Sequence, residues 1–427
     1  MRRTTAIAAF TAIALAAVGC SSSSSSSSSG SATSSGSAAA GGNTVDIYSS
    51  LPLQAANIAQ TVPMVNGMKL ALAQANNKAG QWTVNYKSLD DSTAAAGKWD
   101  PAQCAANARQ AASDSNAVIY LGEFNSGCSK ISIPILNQAG IPQVSPANTY
   151  IGLTRSLPGS APGEPQQYYP TGTRTYLRIV PIDSIQAAAD LIAMKNAGCT
   201  KVAVANDKEA YGAGLATLLG LEKGFYGVNI IGNTGIDPTA PNFRSYASTV
   251  AGQGADCFFF AGIVSNGAVQ ITKDVHSAIP TAKIFGGDGV CTDSYTNATK
   301  GGVPAAIYPL LECTVATLNL ASYPGGQQFL AAYQAKYGVA NPDPYAIYGY
   351  EAMKLALDTI SGLGAQGNSK TAVLHALFAI TARQSVLGTY GFNQYGDTTL
   401  KSYGLYKVGS NGELVFYQKI TPTKTVQ

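Results

Sequence analysis

Charge is scarce in this chain of 427 residues: Asp, Glu, Lys and Arg make up 12%, and 27 basic against 23 acidic groups leave a net charge of +4. So thin a balance supplies no basic stripe for a nucleic-acid backbone. Histidine is scarcer still, with only His276 and His375, both inside helical patterns. A Ser/His/Asp arrangement therefore lacks its base, and GxSxG, HExxH and GxxxxGK[ST] are all missing. Gly362, Gly364 and Gly367 spell GxGxxG, but they follow a helix rather than a strand, the wrong context for a dinucleotide. No CxxC or Cys/His cluster offers a zinc site. These absences argue against an enzyme, and neither a metal nor a cofactor is expected. A membrane-spanning helix needs about 20 apolar residues, and the run Ala6–Val18 is too short for one.

That short run has another reading. It follows Arg2 and Arg3 and ends at Gly19-Cys20, directly before nine serines. A basic start, an apolar stretch and a small residue before cysteine make an export signal whose thiol can be lipidated after cleavage. Residues 1–20 are read as a lipoprotein signal and 21–43 as a flexible Ser/Gly-rich tether, which places the protein outside the cytoplasm, lipid-anchored to the cell membrane through Cys20. An ordinary signal peptide with an incidental Cys20 is the alternative, because Ala17-Val18-Gly19 lacks the more usual leucine. Outside the cytoplasm, the six remaining cysteines predict disulfides. Sequential pairing closes three modest loops: Cys104 with Cys128, Cys199 with Cys257, and Cys291 with Cys313. Buried free thiols are the alternative.

From Thr44 onward, β-rich runs alternate with helical periods. Strands are expected at Val45–Tyr48, Trp82–Leu89, Ala117–Leu121 and Ile141–Val144, with helices between them; Asp100 and Pro101 are a ready helix start. A stretch rich in proline and glycine, Ser156–Thr173, reads as a surface loop. The alternation then resumes through strands near 176–180, 201–205, 228–232, 256–260 and 283–285, and a tail of helices and short strands follows. The pattern predicts an α/β protein with two mostly parallel sheets rather than one very wide one.

In open α/β sheets, ligands bind beyond the carboxyl ends of the strands. That rule selects Gly122–Gly127 and Ser145–Thr149 in the first half, and Asn206–Gly212, Ala261–Val264 and Gly286–Gly289 in the second. Hydroxyls and free N–H groups at helix starts suit a carboxylate, which points to Ser126 and Thr149. Asp288, between glycines, can hold an ammonium group. Taken singly, Ser126 and Thr149 also read as helix caps, Tyr211 as a packed tyrosine and Asp288 as a turn residue.

LGEFNSG, VSPANT, NDKEAYGAGL and FGGDGV occur in this order, followed by the helix AIYGYEAMKLALD and the turn GFNQYGD. In order and spacing they resemble the extracytoplasmic branched-chain amino-acid binding proteins of ABC transporters. The resemblance implies a type I periplasmic-binding fold, two Rossmann-like lobes joined by three crossovers around a ligand cleft. On that pattern, residues 44–178 with about 315–385 form lobe 1, and about 179–314 with 386–427 form lobe 2. It also implies that Ser126, the backbone of Ala147, and Thr149 take a ligand carboxylate, that Tyr211 and Asp288 surround its ammonium group, and that Asn125 and Ile263 complete the lining. The implied partners are an amino acid or similar small zwitterion, a membrane permease and the membrane itself; the protein is expected to be a monomer and to bind no nucleic acid. Departures from the pattern are Ile263 and Val264 where aromatic residues are frequent, Ser50-Leu51-Pro52-Leu53 in place of a Ser-Gly pair, and the insertion at 156–171. They leave open an amide, urea or aromatic acid as ligand, and a ligand-sensing surface lipoprotein without transport.

Overall fold

The computed structural model describes residues 43–426; the segment read as an export signal, with Cys20, and the serine tract lie outside them. In the first half run β1 (Thr44–Leu51), α1 (Ile58–Gln74), β2 (Lys78–Ala79), β3 (Trp82–Asp90), a small hairpin of β4 (Ser92–Thr93) and β5 (Lys98–Trp99), α2 (Pro101–Ser113), β6 (Ala117–Gly122), α3 (Ser126–Gln138), β7 (Gln143–Ser145) and β8 (Tyr176–Arg178). They build a six-stranded sheet of order β2-β3-β1-β6-β7-β8, parallel except at the β2 edge. Every residue of β6 is buried, the continuous apolar strand that a sheet covered on both faces requires.

The second half adds α4 (Asp183–Asn196), β9 (Val202–Asn206), α5 (Ala210–Tyr226), β10 (Ile230–Gly235), α6 (Arg244–Gly252), β11 (Cys257–Ala261), α7 (Val269–Ala278), β12 (Lys283–Gly286), α8 (Asp293–Thr296) and β13 (Leu311–Val315). Then come α9 (Gly326–Tyr337), α10 (Ala346–Gly362), α11 (Lys370–Phe378), β14 (Arg383–Ser385), β15 (Gly388–Tyr390), β16 (Tyr403–Val408) and β17 (Leu414–Ile420). The second sheet has the order β10-β9-β11-β12-β13-β16-β17, antiparallel only where β16 and β17 join. The protein is thus α/β with two mostly parallel sheets in two lobes.

The chain leaves the first sheet after β8, leaves the second after β13 for α9 to α11, and re-enters the second at β16, a third passage. At the first passage Arg178 is fully buried, donating from Nε to Asp397 Oδ1 at 3.0 Å, from Nη1 to the carbonyls of Asn148 and Tyr150, and from Nη2 to Thr154 Oγ1 at 2.6 Å. A buried guanidinium is tolerable only when its donors are met in this way, so one residue ties together the loop after β7 and the turn that precedes the third passage. The β14–β15 hairpin joins neither sheet: Arg383 Nε and the Tyr390 hydroxyl both donate to Glu351 Oε1 on α10. In turn α10 lies against α1, with the backbone of Gly349 close to Met64 and that of Gly67 close to Ala346.

The insertion at 156–171 reads as a surface loop from composition alone, yet its Glu164 is buried. Glu164 accepts from the hydroxyls of Tyr150 and Tyr168 and from the backbone of Ala161, and pairs with Lys130 at 2.8 Å. The disulfides join Cys104 to Cys128, Cys199 to Cys257 and Cys291 to Cys313, the sequential pairing. Among the described residues no helix is long and apolar enough to cross a membrane.

Candidate functional site

Two loops at the carboxyl edge of the first sheet form one wall of a cavity. Helix α3 begins at Ser126, a turn earlier than apolar periodicity alone suggests, so the Ser126 hydroxyl and the first free N–H groups of the helix stand together. After β7 the chain turns on Ser145, whose hydroxyl donates to Glu123 O at 2.7 Å and accepts from the backbone of Ala147 and Asn148 at 3.1 and 2.8 Å. Asn148 then donates from Nδ2 to Phe124 O at 2.8 Å, locking the two loops to each other. That pairing holds Ala147 and Thr149 beside Asn125 and Ser126.

The opposite wall comes from the second sheet. Tyr211 stands in the first turn of α5, Ile263 follows β11, and Asp288 and Gly289 follow β12. Asp207 fixes the middle of this wall by accepting from the Ile263 N–H at 3.1 Å and from Asn266 Nδ2 at 2.9 Å. The glycines around Asp288 are there for room: a Cβ on Gly287 would come within 2.4 Å of the Tyr211 hydroxyl.

All seven ligand residues singled out in the sequence, Asn125, Ser126, Ala147, Thr149, Tyr211, Ile263 and Asp288, line one cavity, together with Phe124, Glu209, Gly289 and Tyr345. Phe124, Glu209 and Gly289 lie in segments that the strand-end rule had already marked. Tyr345 does not: it precedes α10, and no feature of the sequence ties that helix start to the cleft.

Asp288 is the electrostatic centre. Tyr345 donates its hydroxyl to Asp288 Oδ2 at 2.5 Å, and Gln60 of α1 donates to Asp288 O at 2.9 Å, so both ends of the residue are held. Burial raises the Asp288 carboxyl above the usual range, while hydrogen bonds from Tyr211, Tyr345 and Gln186 pull it back. Burial first, then the charge of Asp288, holds the phenols of Tyr211 and Tyr345 far above their ordinary value, so both remain donors at neutral pH. Asp183, whose N–H donates to Thr149 O at 2.8 Å, is a further acid that sequence reading overlooked. It is fully buried, and burial, opposed by Thr149 and reinforced by the charge of Asp288, pushes it up to about 8. A neutral Asp183 leaves Asp288 as the nearby group able to receive a cation.

Glu209, the other acid in the wall, is engaged from across the cleft. Lys98 on β5 meets Glu209 Oε1 at 2.5 Å and also donates to Asn266 Oδ1 at 2.9 Å. Trp99 Nε1 donates to Glu209 Oε2, and Asn266 Nδ2 to Glu209 Oε1, each at 2.9 Å. No Lys, Arg or His lines the cavity itself. Chemically, the arrangement offers hydroxyl and N–H donors on one side and one available carboxylate on the other.

Comparison with known proteins follows the same lines. The profile of the periplasmic binding protein family matches residues 52–413. An amino acid binding protein of Pseudomonas aeruginosa is 25% identical over 364 residues, covering 84% of each chain. A Leu/Ile/Val-binding protein of Rhizobium johnstonii is 24% identical over 357 residues, 83% of this chain and 89% of its own. A leucine binding protein of Thermotoga maritima aligns over 88% of this chain and 99% of its own, with a TM-score of 0.73 at 21% identity. A solute binding protein of R. palustris in complex with benzoate covers 90% of this chain and 98% of its own, with a TM-score of 0.70 at 18% identity. These two structures establish a shared fold.

Proposed function

The chain belongs to the periplasmic binding protein family, and from that premise we propose that it is the extracytoplasmic receptor of an ABC importer, closing two lobes on an amino acid or a similar small zwitterion. Ser126, the backbone of Ala147 and Thr149 take the ligand carboxylate; Asp288 and Tyr211 take its ammonium group; Asn125 and Ile263 line the remainder. The moving halves are residues 44–178 with about 315–385, and about 179–314 with 386–427. Cys20 carries the lipid, the serine tract is the tether, and the protein acts as a monomer that delivers its ligand to a membrane permease without chemical change.

The observation that carries this reading is the single cavity at the carboxyl ends of both sheets, donor-rich on one wall and acidic on the other. An aromatic acid fits it poorly. With no ammonium group of its own, such an anion would face Asp288 without a countercharge, and the lining supplies none. An amino acid satisfies both walls.

Closure is a population shift: moving the lobes from 1:99 to 99:1 takes about 5.5 kcal/mol of differential binding. A thermal-shift panel of amino acids, amides, urea and aromatic acids on the mature chain tests the assignment. An amino acid at about 100 times its Kd adds about 2.7 kcal/mol of stability. Stabilisation by benzoate and by no amino acid would overturn the assignment.

A further inference from the structure

The contact between the β4–β5 hairpin and Glu209 does more than join the walls. Glu209 is a cavity-lining acid whose two carboxylate oxygens are taken up by a cation and an indole N–H that reach over from the opposite half of the molecule. The side chains of Lys98 and Glu209 are 27% and 16% exposed, sheltered enough for the pair to matter electrostatically. Lys98 does not itself line the cavity. Its charge therefore cancels that of Glu209 from behind, without adding a positive group to the ligand's surroundings.

We propose that Lys98 and Trp99 are specificity-positioning residues: by holding Glu209 they leave Asp288 as the one carboxylate open to the ligand, so the site accepts an amino acid with a single ammonium group and turns away one with a basic side chain. This rests on the amino-acid reading above. Two free carboxylates in one small cavity would suit a dication; one suits a neutral amino acid. Because Lys98 and Glu209 come from opposite halves, this selection operates when the halves are together. As the halves close, a basic ligand must compete with Lys98 for Glu209, and a neutral one has nothing to displace.

The test is calorimetric titration of the mature chain and its variants with a neutral panel (leucine, alanine, serine) and a basic panel (lysine, arginine, ornithine). Wild type binds a neutral amino acid and discriminates against the basic ones. In Lys98→Gln the ratio of neutral to basic affinity shifts towards the basic ligands by about tenfold, the worth of one sheltered charge pair. Lys98→Arg keeps the wild-type ratio, and the double variant Lys98→Gln/Glu209→Gln, which has no uncompensated acid, returns to it. An unchanged ratio in Lys98→Gln alongside neutral binding by wild type overturns this proposal alone, as does loss of both ligand classes in that variant. A wild-type protein that binds no amino acid on either panel overturns the receptor reading, and this proposal with it.

Discussion

At the scale of single residues, Asp288 concentrates the site's chemistry. An ammonium group leaving water needs a charge-assisted acceptor, worth about 1.5–3 kcal/mol net. Asp288→Ala is therefore expected to weaken amino-acid binding by about 10- to 150-fold in calorimetry, while circular dichroism still reports a folded protein; binding at full strength would remove the residue from the site. Its neighbour Tyr345 offers a finer probe. Tyr345→Phe deletes the hydroxyl donated to Asp288 and leaves the ring, which meets Phe124 edge-on at 6.0 Å. The expected loss lies at the low end of that range, about tenfold, because one hydrogen bond to the carboxylate is lost while the carboxylate itself stays. Why Asp288 was visible in the sequence and Tyr345 was not is a matter of position. Asp288 follows a strand, where the strand-end rule looks, and sits between glycines that signal close approach. Tyr345 begins a helix distant along the chain and is brought to the cleft only by how α10 packs. Asp183 escaped for a related reason, since an acid at a helix start reads as a favourable end charge and its burial is invisible before the sheets are assembled.

Elements were legible where burial and period agree. The wholly buried strands β6 and β11 announce themselves as continuous apolar runs, and Asp100 caps α2 with bonds to Ala102 and Gln103 as its spacing predicts. The β4–β5 hairpin gave no such signal: DSTAAAGKW has neither alternation nor an apolar run, and its strands are two residues each. After β11 helix α7 begins only at Val269, because Gly267 at φ +82° places an irregular turn before it. That turn presents Asn266 to Glu209. The α1–α10 contact allows an element-scale prediction. By helix propensity Gly349→Ala should stabilise by about 1 kcal/mol, yet the new Cβ would lie 2.0 Å from Met64 O. The clash outweighs propensity: urea unfolding should show a loss of about 2–3 kcal/mol, and a gain in stability would mean the helices are not so closely packed.

Across the whole molecule, several buried carboxyls are held above the range they have in an unfolded chain. Burial pushes Glu123 to about 7, Asp183 and Glu222 to about 8, and Asp207 to about 6. Between about pH 4 and pH 8 the folded protein keeps protons that the unfolded chain has released, so stability falls as pH rises, by up to about 1.4 kcal/mol per unit for each such group. Asp90 and Glu164, whose hydrogen bonds overcome burial and lower them, contribute stability above about pH 4 and lose it only below that, so they do not offset the trend. The urea midpoint is expected to be higher at pH 5 than at pH 8; the reverse order would place these acids in a wetter setting than the fold gives them.

The three cystine bridges bear on how such a molecule ages. One joins α2 to α3 against the first sheet; the other two anchor segments of the second sheet, at Cys199 to Cys257 and Cys291 to Cys313. None crosses from one half to the other, so no covalent bond ties the halves together while each is clamped internally. Reductant should therefore shorten the working life of the protein under heat while leaving its grip on a ligand unaltered.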